Sequence, residues 1–215
     1  MYLADHLDDF NEVCKETLCV FEEVEHHLQL NLSHTHYCHG NFRFITSGIS
    51  FGGGQMRPGN LRNMVHNEKV MQNLLANWAM QHVIQFINKM FAATNIPISH
   101  LLHHDHSIFA SFILNVGGVT TRCHHDHLNL GPGACPVFAV GNFDPTKGGH
   151  LVLWDLKLVI EFPSGSLIII PSALLEHSNI PISQDETCHS FTQYSAMGLF
   201  QWVDNGYRTD KDLEE

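Results

Sequence analysis

The second half of the chain consists of short apolar runs separated by glycine and proline, and this pattern restricts the possible folds more than any other feature. The runs are rich in β-branched and aromatic residues, which are typical of strands. They cover residues 108–116, 136–141, 150–154, 158–162, 166–170 and 191–203. Regularly spaced short strands with turn residues between them predict a β-barrel or a β-sandwich.

Two helical patterns precede these runs. Apolar residues recur every three or four positions between Tyr2 and Leu30, which predicts an amphipathic helix. We expect this helix to pack on the main domain, although its length would also suffice for a coiled coil that pairs two chains. A second stretch, from about residue 61 to 91, has an apolar face that includes Trp78 and Met90 and is predicted to be core.

Length and composition indicate one folded unit. A chain of 215 residues is typical of a single domain. Hydrophobic residues make up 44% and charged residues 15%, so the chain can bury a core of ordinary size. We therefore predict a single α+β domain over residues 1–215, in which residues 1–100 are mainly helical support and residues 101–209 form the β-rich core.

The charge balance bears on possible partners. Eleven basic and 22 acidic residues give 11 − 22 = −11, and the basic residues form no cluster in the sequence. Phosphate contacts by lysine and arginine normally supply most of the affinity for nucleic acids. Binding to DNA is therefore disfavoured, and a small molecule is the better candidate for a partner.

The sequence also gives expectations about location. The six cysteines include no Cys-x-x-Cys pair and have no spacing typical of a disulfide framework. No run of 18 apolar residues is present, and the first residues lack the basic and apolar regions of a signal peptide. We expect an intracellular protein, cytoplasmic or nuclear, that is neither secreted nor inserted into a membrane.

Histidine is the residue type that most directly indicates chemistry. The chain has 18 histidines, more than its 11 lysines and arginines together, and neutral imidazole is the commonest metal ligand in proteins. His124 and Asp126 have the His-x-Asp spacing of a 2-His-1-carboxylate site, which binds Fe(II) and leaves positions open. The third ligand must come from a later strand, and His177 follows a turn, a strand and a second turn.

Two other clusters could compete for the metal. Residues 103–106 repeat the letters His-His-Asp-His of residues 124–127. We choose the second copy because it lies about fifty residues before His177, which leaves room for the intervening strands. Residues 34–39 contain three histidines and a cysteine, which are zinc ligand types, but their spacing fits no common zinc module.

Several motifs, taken in order, resemble the fungal branch of the TET/JBP family. They are the glycine-rich loop at 52–59, HHDHLN at 124–129, GNFDPTKGGHL at 141–151 and SFTQY at 190–194. The resemblance covers about residues 40–209. It implies a double-stranded β-helix, or jelly roll, with Fe(II) at its mouth and 2-oxoglutarate as cosubstrate. It further implies oxidation of a C–H bond or an N-methyl group of a methylated nucleobase or a related small molecule.

The resemblance also assigns roles to individual residues. It makes His124, Asp126 and His177 the metal ligands and the catalytic residues. It makes Asn129 a contact to the substrate base, with His127 beside it. A turn residue that bonds its own backbone is an equally good interpretation of Asn129.

One position departs from the family pattern. The family has an arginine after the distal histidine that pairs with the far carboxylate of 2-oxoglutarate, whereas this chain has Cys188. A cysteine cannot form that charge-assisted bidentate pair. Arg122 or Arg208 could supply the cation. Arg208 is the stronger candidate because Arg122, two residues before His124, should face the metal.

If neither arginine replaces the missing one, two other functions remain open. The first is an iron oxygenase that works without 2-oxoglutarate and takes its electrons from the substrate. The second is an inactive metal-binding scaffold that binds partners through its surface or its first helix. The complete set of three ligands argues against the scaffold, and Cys188 argues for it.

Overall fold

The computed structural model describes residues 2–31, 35, 39–52, 55–94, 96 and 107–214. Within these ranges the chain forms five helices and nine strands. In chain order they are α1 Tyr2–His27, β1 Arg43–Ser50, β2 Gly59–Asn60, α2 Val65–Ala76, α3 Trp78–Ala92, β3 Ser111–Val116, β4 Cys135–Asn142, β5 Leu151–Leu153, β6 Leu158–Ile160, β7 Ser166–Ile170, β8 His177–Asn179, β9 Thr187–Tyr194, α4 Met197–Asp204 and α5 Asp210–Glu214.

The strands form two antiparallel sheets that face each other. The large sheet has the order β2-β1-β3-β9-β4-β7, and the small sheet has the order β6-β5-β8. A cavity between them is lined by residues of β3, β4 and β9 on one side and of β5 and β8 on the other. Facing antiparallel sheets of this kind form a jelly roll, so the predicted α+β class with a double-stranded β-helix is confirmed.

The outer face of the large sheet is covered by the helices α1, α2 and α3. Side chains alternate along a strand, so one set of residues in β3, β4 and β9 points to the helices and the other to the cavity. The fully buried Phe138 and Phe191 belong to the helix side, where they share a core with Phe21 of α1 and Ile87 of α3. Complete burial of such a side chain contributes about 1.5–3 kcal/mol.

The first helix uses its apolar stripe within its own chain. Val13, Val20, Phe21 and Val24 of α1 are buried in the main core, and α1 contacts α2, α3, β3 and β4. Packing on the main domain is therefore the interpretation that the structure supports. From Phe10 onward, where the side chains are described, the stripe packs within the chain, and this packing does not favour the coiled-coil dimer.

The second helical stretch is two helices, not one. α2 and α3 are separated at Asn77, whose side-chain oxygen accepts a hydrogen bond from the backbone N–H of Ala79 at 2.8 Å and caps α3. Because the chain changes direction there, residues before and after Asn77 do not share one continuous face. Trp78 and Met90 are 46% and 44% exposed, so the prediction that both are core is wrong.

The structure also differs from the sequence-based prediction at one additional strand and at the end of another. Residues 43–50, expected in a mainly helical half, form β1, which pairs with β3 along the large sheet. The predicted strand 191–203 ends as β9 at Tyr194, and the helix α4 begins at Met197. β7 covers Ser166–Ile170 as predicted, and β8 begins at His177 as the ligand argument required.

Candidate metal centre

His124 and His177 lie directly opposite each other in an isolated antiparallel bridge. The backbone N–H of His124 donates to the carbonyl of His177 at 3.0 Å, and the N–H of His177 donates to the carbonyl of His124 at 2.9 Å. Their ring centroids are 4.2 Å apart. Two backbone hydrogen bonds therefore hold together two imidazoles that are about fifty residues apart in sequence.

The hydrogen bonds of the two rings fix which nitrogen can bind a metal. Nδ1 of His124 lies 2.6 Å from the carbonyl oxygen of Arg122, and Nδ1 of His177 lies 2.9 Å from that of Leu175. A carbonyl only accepts, so each Nδ1 carries the hydrogen and each Nε2 presents its lone pair. Burial lowers the pKa of His124 to about 4, which keeps its ring neutral near pH 7. This is the state that a metal ligand needs.

Asp126, the predicted carboxylate ligand, lies beside His124. Its Oδ1 lies 3.7 Å from Nε2 of His124, and two atoms bound to one ion at about 2.1 Å each can be up to about 4.2 Å apart. The backbone N–H of Asp126 donates to the carbonyl of Ser172 at 3.0 Å. The amide Nδ2 of Asn129 lies 3.3 Å from Oδ2 of Asp126, and its backbone N–H donates to the Asp126 carbonyl at 2.9 Å. One carboxylate oxygen thus faces the imidazole while the other is held by Asn129.

A third imidazole, which the spacing argument did not include, lies at the same place. The ring of His39 stacks on that of His124 with centroids 3.8 Å apart, and its Nε2 is 3.9 Å from Oδ1 of Asp126. His39, His124 and Asp126 each offer a ligand atom within 4.8 Å of the others, and this group, found among the described residues, does not include His177. The sequence placed His39 in a separate zinc-like cluster, and no local spacing connects it with a residue 85 positions later.

A cavity of about 130 Å³ extends from these residues into the space between the sheets. Among the described residues, none of those lining it is a lysine or an arginine. They are His39, Phe42, Ile113, Asn115, Val119, Thr121, His124, Asp126, Cys135, Val137, Ala139, Gly149, Leu151, Phe162, Ser172, His177, Asn179, Cys188, Ser190 and Thr192. The interior is therefore mainly apolar, with a few neutral hydrogen-bonding groups.

Cys188 lies in this lining, on the cavity side of β9. Its side chain is buried, and burial raises the pKa of the thiol to about 11, so the group is neutral. The nearby polar pair is Asn115 and Ser190, which are joined by a hydrogen bond of 3.0 Å from Asn115 Nδ2. Position 188 thus faces the cavity but offers no charge to it.

Neither of the two arginines predicted to replace the missing cation lines the cavity. Arg122 is exposed, and its backbone N–H donates to the carbonyl of His39. Arg208 lies beside α4 and α5, where its Nε donates to the carbonyl of Asn205 at 3.4 Å, and it lines a different groove together with Trp202. The predicted contact of Arg122 or Arg208 with a cosubstrate has no support in this geometry.

The two predicted substrate contacts also lie outside the cavity lining. Asn129 directs its amide toward Asp126, Ser172 and Cys135. His127 is exposed, and its ring stacks on that of His125 with centroids 5.4 Å apart. The geometry favours a supporting role for Asn129, and substrate contact by either residue stays a prediction.

Some competing clusters fall outside the described residues. These are the repeated motif at 103–106 and residues 34 and 36–38 of the zinc-like cluster. The glycines at 53 and 54, from the glycine-rich loop, also lie outside the described residues. The choice of the second His-His-Asp-His copy over the first therefore stays a prediction.

Comparison with solved structures identifies the fold. The chain is similar to NgTET1 in complex with 5mC DNA, with 15% identity, a TM-score of 0.65, and coverage of 87% of this chain and 69% of that one. It is also similar to a Pseudomonas putida prolyl-4-hydroxylase, with 16% identity, a TM-score of 0.51, and coverage of 87% and 86%. No protein-family model matches the chain, and no curated protein is significantly similar to it in sequence. At such low identities the likeness establishes the jelly-roll fold.

Proposed function

We propose that this protein is a non-haem Fe(II) dioxygenase of the fungal TET/JBP-like type, with 2-oxoglutarate as its cosubstrate. The observation that carries the proposal is the site at the mouth of the cavity. There, the paired imidazoles of His124 and His177 present their Nε2 atoms, and the carboxylate of Asp126 lies 3.7 Å from Nε2 of His124. Two histidines and one carboxylate are the donor set of Fe(II) oxygenases, and the fold is that of NgTET1 and the prolyl-4-hydroxylase.

The donor atoms present fit a divalent ion. Bound Fe(II) would activate dioxygen for oxidation of a C–H bond. The chain itself holds His124 and His177 by backbone pairing, keeps His124 neutral and orients Asp126 through Asn129. The mainly apolar lining beyond these residues would limit the access of water to the oxidised group.

The substrate that we propose is a methylated nucleobase or a related small molecule. Apart from the metal ligands and His39, the described lining consists of apolar or neutral residues, which suits an uncharged base or an N-methyl group. NgTET1, which shares the fold, was solved with 5mC DNA. The net charge of −11 opposes binding to the phosphates of a nucleic acid, so a free base is the better candidate. No described helix is long and apolar enough to cross a membrane.

The fit of 2-oxoglutarate is weaker than that of the metal. The described lining would offer its far carboxylate neutral groups, such as Asn115, Ser190 and Thr192, and no lysine or arginine. Hydrogen bonds from neutral donors are roughly half as strong as charge-assisted ones. This lining favours, as a second candidate, an iron oxygenase of the same substrate class that takes its electrons from the substrate.

An anaerobic titration of the Fe(II)-loaded protein with 2-oxoglutarate tests the proposal and separates the two candidates. We expect a metal-to-ligand charge-transfer band in the native protein and none in His124→Ala, Asp126→Ala or His177→Ala. His125→Ala is the matched control, because it lies inside the same motif but belongs to no ligand set, and it should keep the band. Iron binding without a band would favour the second candidate. Failure of the native protein to bind iron would contradict both.

A further inference from the structure

We propose that His39 is a fourth protein ligand of this metal, so that three imidazoles and one carboxylate hold the ion before cosubstrate or substrate arrives. This inference rests on the proposed function, because it concerns the same ion. It goes beyond the 2-His-1-carboxylate set by adding a ligand from the segment that precedes β1.

The distances support a shared ion. Nε2 of His39 and Nε2 of His124 lie 3.9 Å and 3.7 Å from the same atom, Oδ1 of Asp126. Ligand atoms of one ion at about 2.1 Å each lie about 3.0 Å apart at right angles and about 4.2 Å apart when opposite. Both distances fall inside this range, so an ion bound between His124 and Asp126 is within reach of His39 as well.

The backbone around His39 is fixed at this place. The carbonyl of His39 accepts a hydrogen bond from the N–H of Arg122, two residues before the first ligand. At the next residue, a Cβ on Gly40 would lie 2.4 Å from the carbonyl oxygen of Thr120, so only glycine allows the two segments to approach so closely. The chain thus brings His39 beside His124 through main-chain contacts that do not depend on the imidazole.

A fourth ligand changes what else the ion can bind. An additional imidazole would leave fewer positions on the ion for a cosubstrate or dioxygen. His39 would then serve as a displaceable ligand that leaves the ion when the cosubstrate or the substrate binds.

Electron spin-echo spectroscopy of the Cu(II)-loaded protein tests the inference, because it counts the imidazoles bound to the ion through their remote nitrogens. Cu(II) is used as the probe because it binds strongly to imidazole sites. We expect three imidazoles in the native protein and two in His39→Ala and His39→Gln. His125→Ala should keep three. Titration with Co(II) should show affinity at least about tenfold weaker in the two His39 variants, comparable with the loss of other interactions that support a metal.

The possible results separate this inference from the proposed function. Two imidazoles in the native protein would overturn the role of His39 and leave the triad intact. Failure to bind Cu(II) or Co(II) at all would overturn both. Because the count in the native protein decides the question, the result does not depend on how well a variant folds. Circular dichroism of the metal-free variants checks that their fold is retained.

Discussion

Replacement of Asn129 by alanine should weaken metal binding without direct loss of a ligand. The amide Nδ2 of Asn129 lies 3.3 Å from Oδ2 of Asp126, 3.3 Å from Oγ of Ser172 and 3.2 Å from Sγ of Cys135. A hydrogen bond to a charged group contributes about 1.5–3 kcal/mol, and loss of a group that supports a metal ligand costs roughly 10–100-fold in affinity. Because 3.3 Å is long for such a bond, we expect the lower end, about tenfold or about 1.4 kcal/mol.

The assay is anaerobic competition for Fe(II) between the protein and a coloured chelator, at pH 7 and fixed salt. Asn205→Ala is the matched control, since Asn205 donates to Asp210 at 2.6 Å on the surface and should leave the affinity unchanged. Metal affinity within twofold of the native value, together with lost substrate binding, would refute the supporting role. Asn129 would then be the substrate contact that the family resemblance implies.

Three further outcomes are expected. Cys188→Arg should strengthen 2-oxoglutarate binding roughly 10–100-fold, as measured by calorimetry of the metal-loaded protein. Arg122→Ala and Arg208→Ala should leave this affinity unchanged, because neither side chain lines the cavity. Weaker binding in either alanine variant would contradict this placement. Burial lowers the pKa of the fully buried His189 from 6.5 to about 4. As the pH falls, this histidine is therefore protonated in the unfolded chain at a higher pH than in the folded protein, which favours unfolding. About 3 kcal/mol of unfolding free energy should be lost between pH 6.5 and pH 4, and His189→Asn should be less sensitive to pH in denaturant titrations over that range. Duplex DNA should bind weakly and lose affinity steeply with salt, and a complex tighter than about micromolar at physiological salt in a fluorescence anisotropy titration would contradict the charge argument.

Much of the jelly roll could be predicted because several strands carry strong local patterns. β7 is a run of apolar, mostly β-branched residues between turns, and its bounds were predicted to the residue. β1 was missed because its buried residues, Ile45 and Gly48, are three positions apart, so the strand lacks the alternation of period two. The break at Asn77 was missed for the opposite reason, because apolar residues on both sides continue one helical period.

The candidate site divides in the same way. His124 and Asp126 were found by local spacing, and His177 was found because the strand order returned the chain to them. His39 approaches them only through the path of the chain before β1, and no pattern in the sequence records such a contact. The family resemblance drew attention to position 188, but the Asn115–Ser190 pair joins two strands 75 residues apart and needed the structure.

The paired backbone hydrogen bonds between His124 and His177 affect how the protein gains and loses its ion. The entropy of bringing the two rings together is lost when the chain folds and is not lost again when the ion arrives. In small zinc domains the metal assembles the site, and chelation unfolds the chain. Here a chelator should remove the ion and leave a folded metal-free protein that can bind a metal again. Replacement of a wrong metal ion should therefore require no refolding.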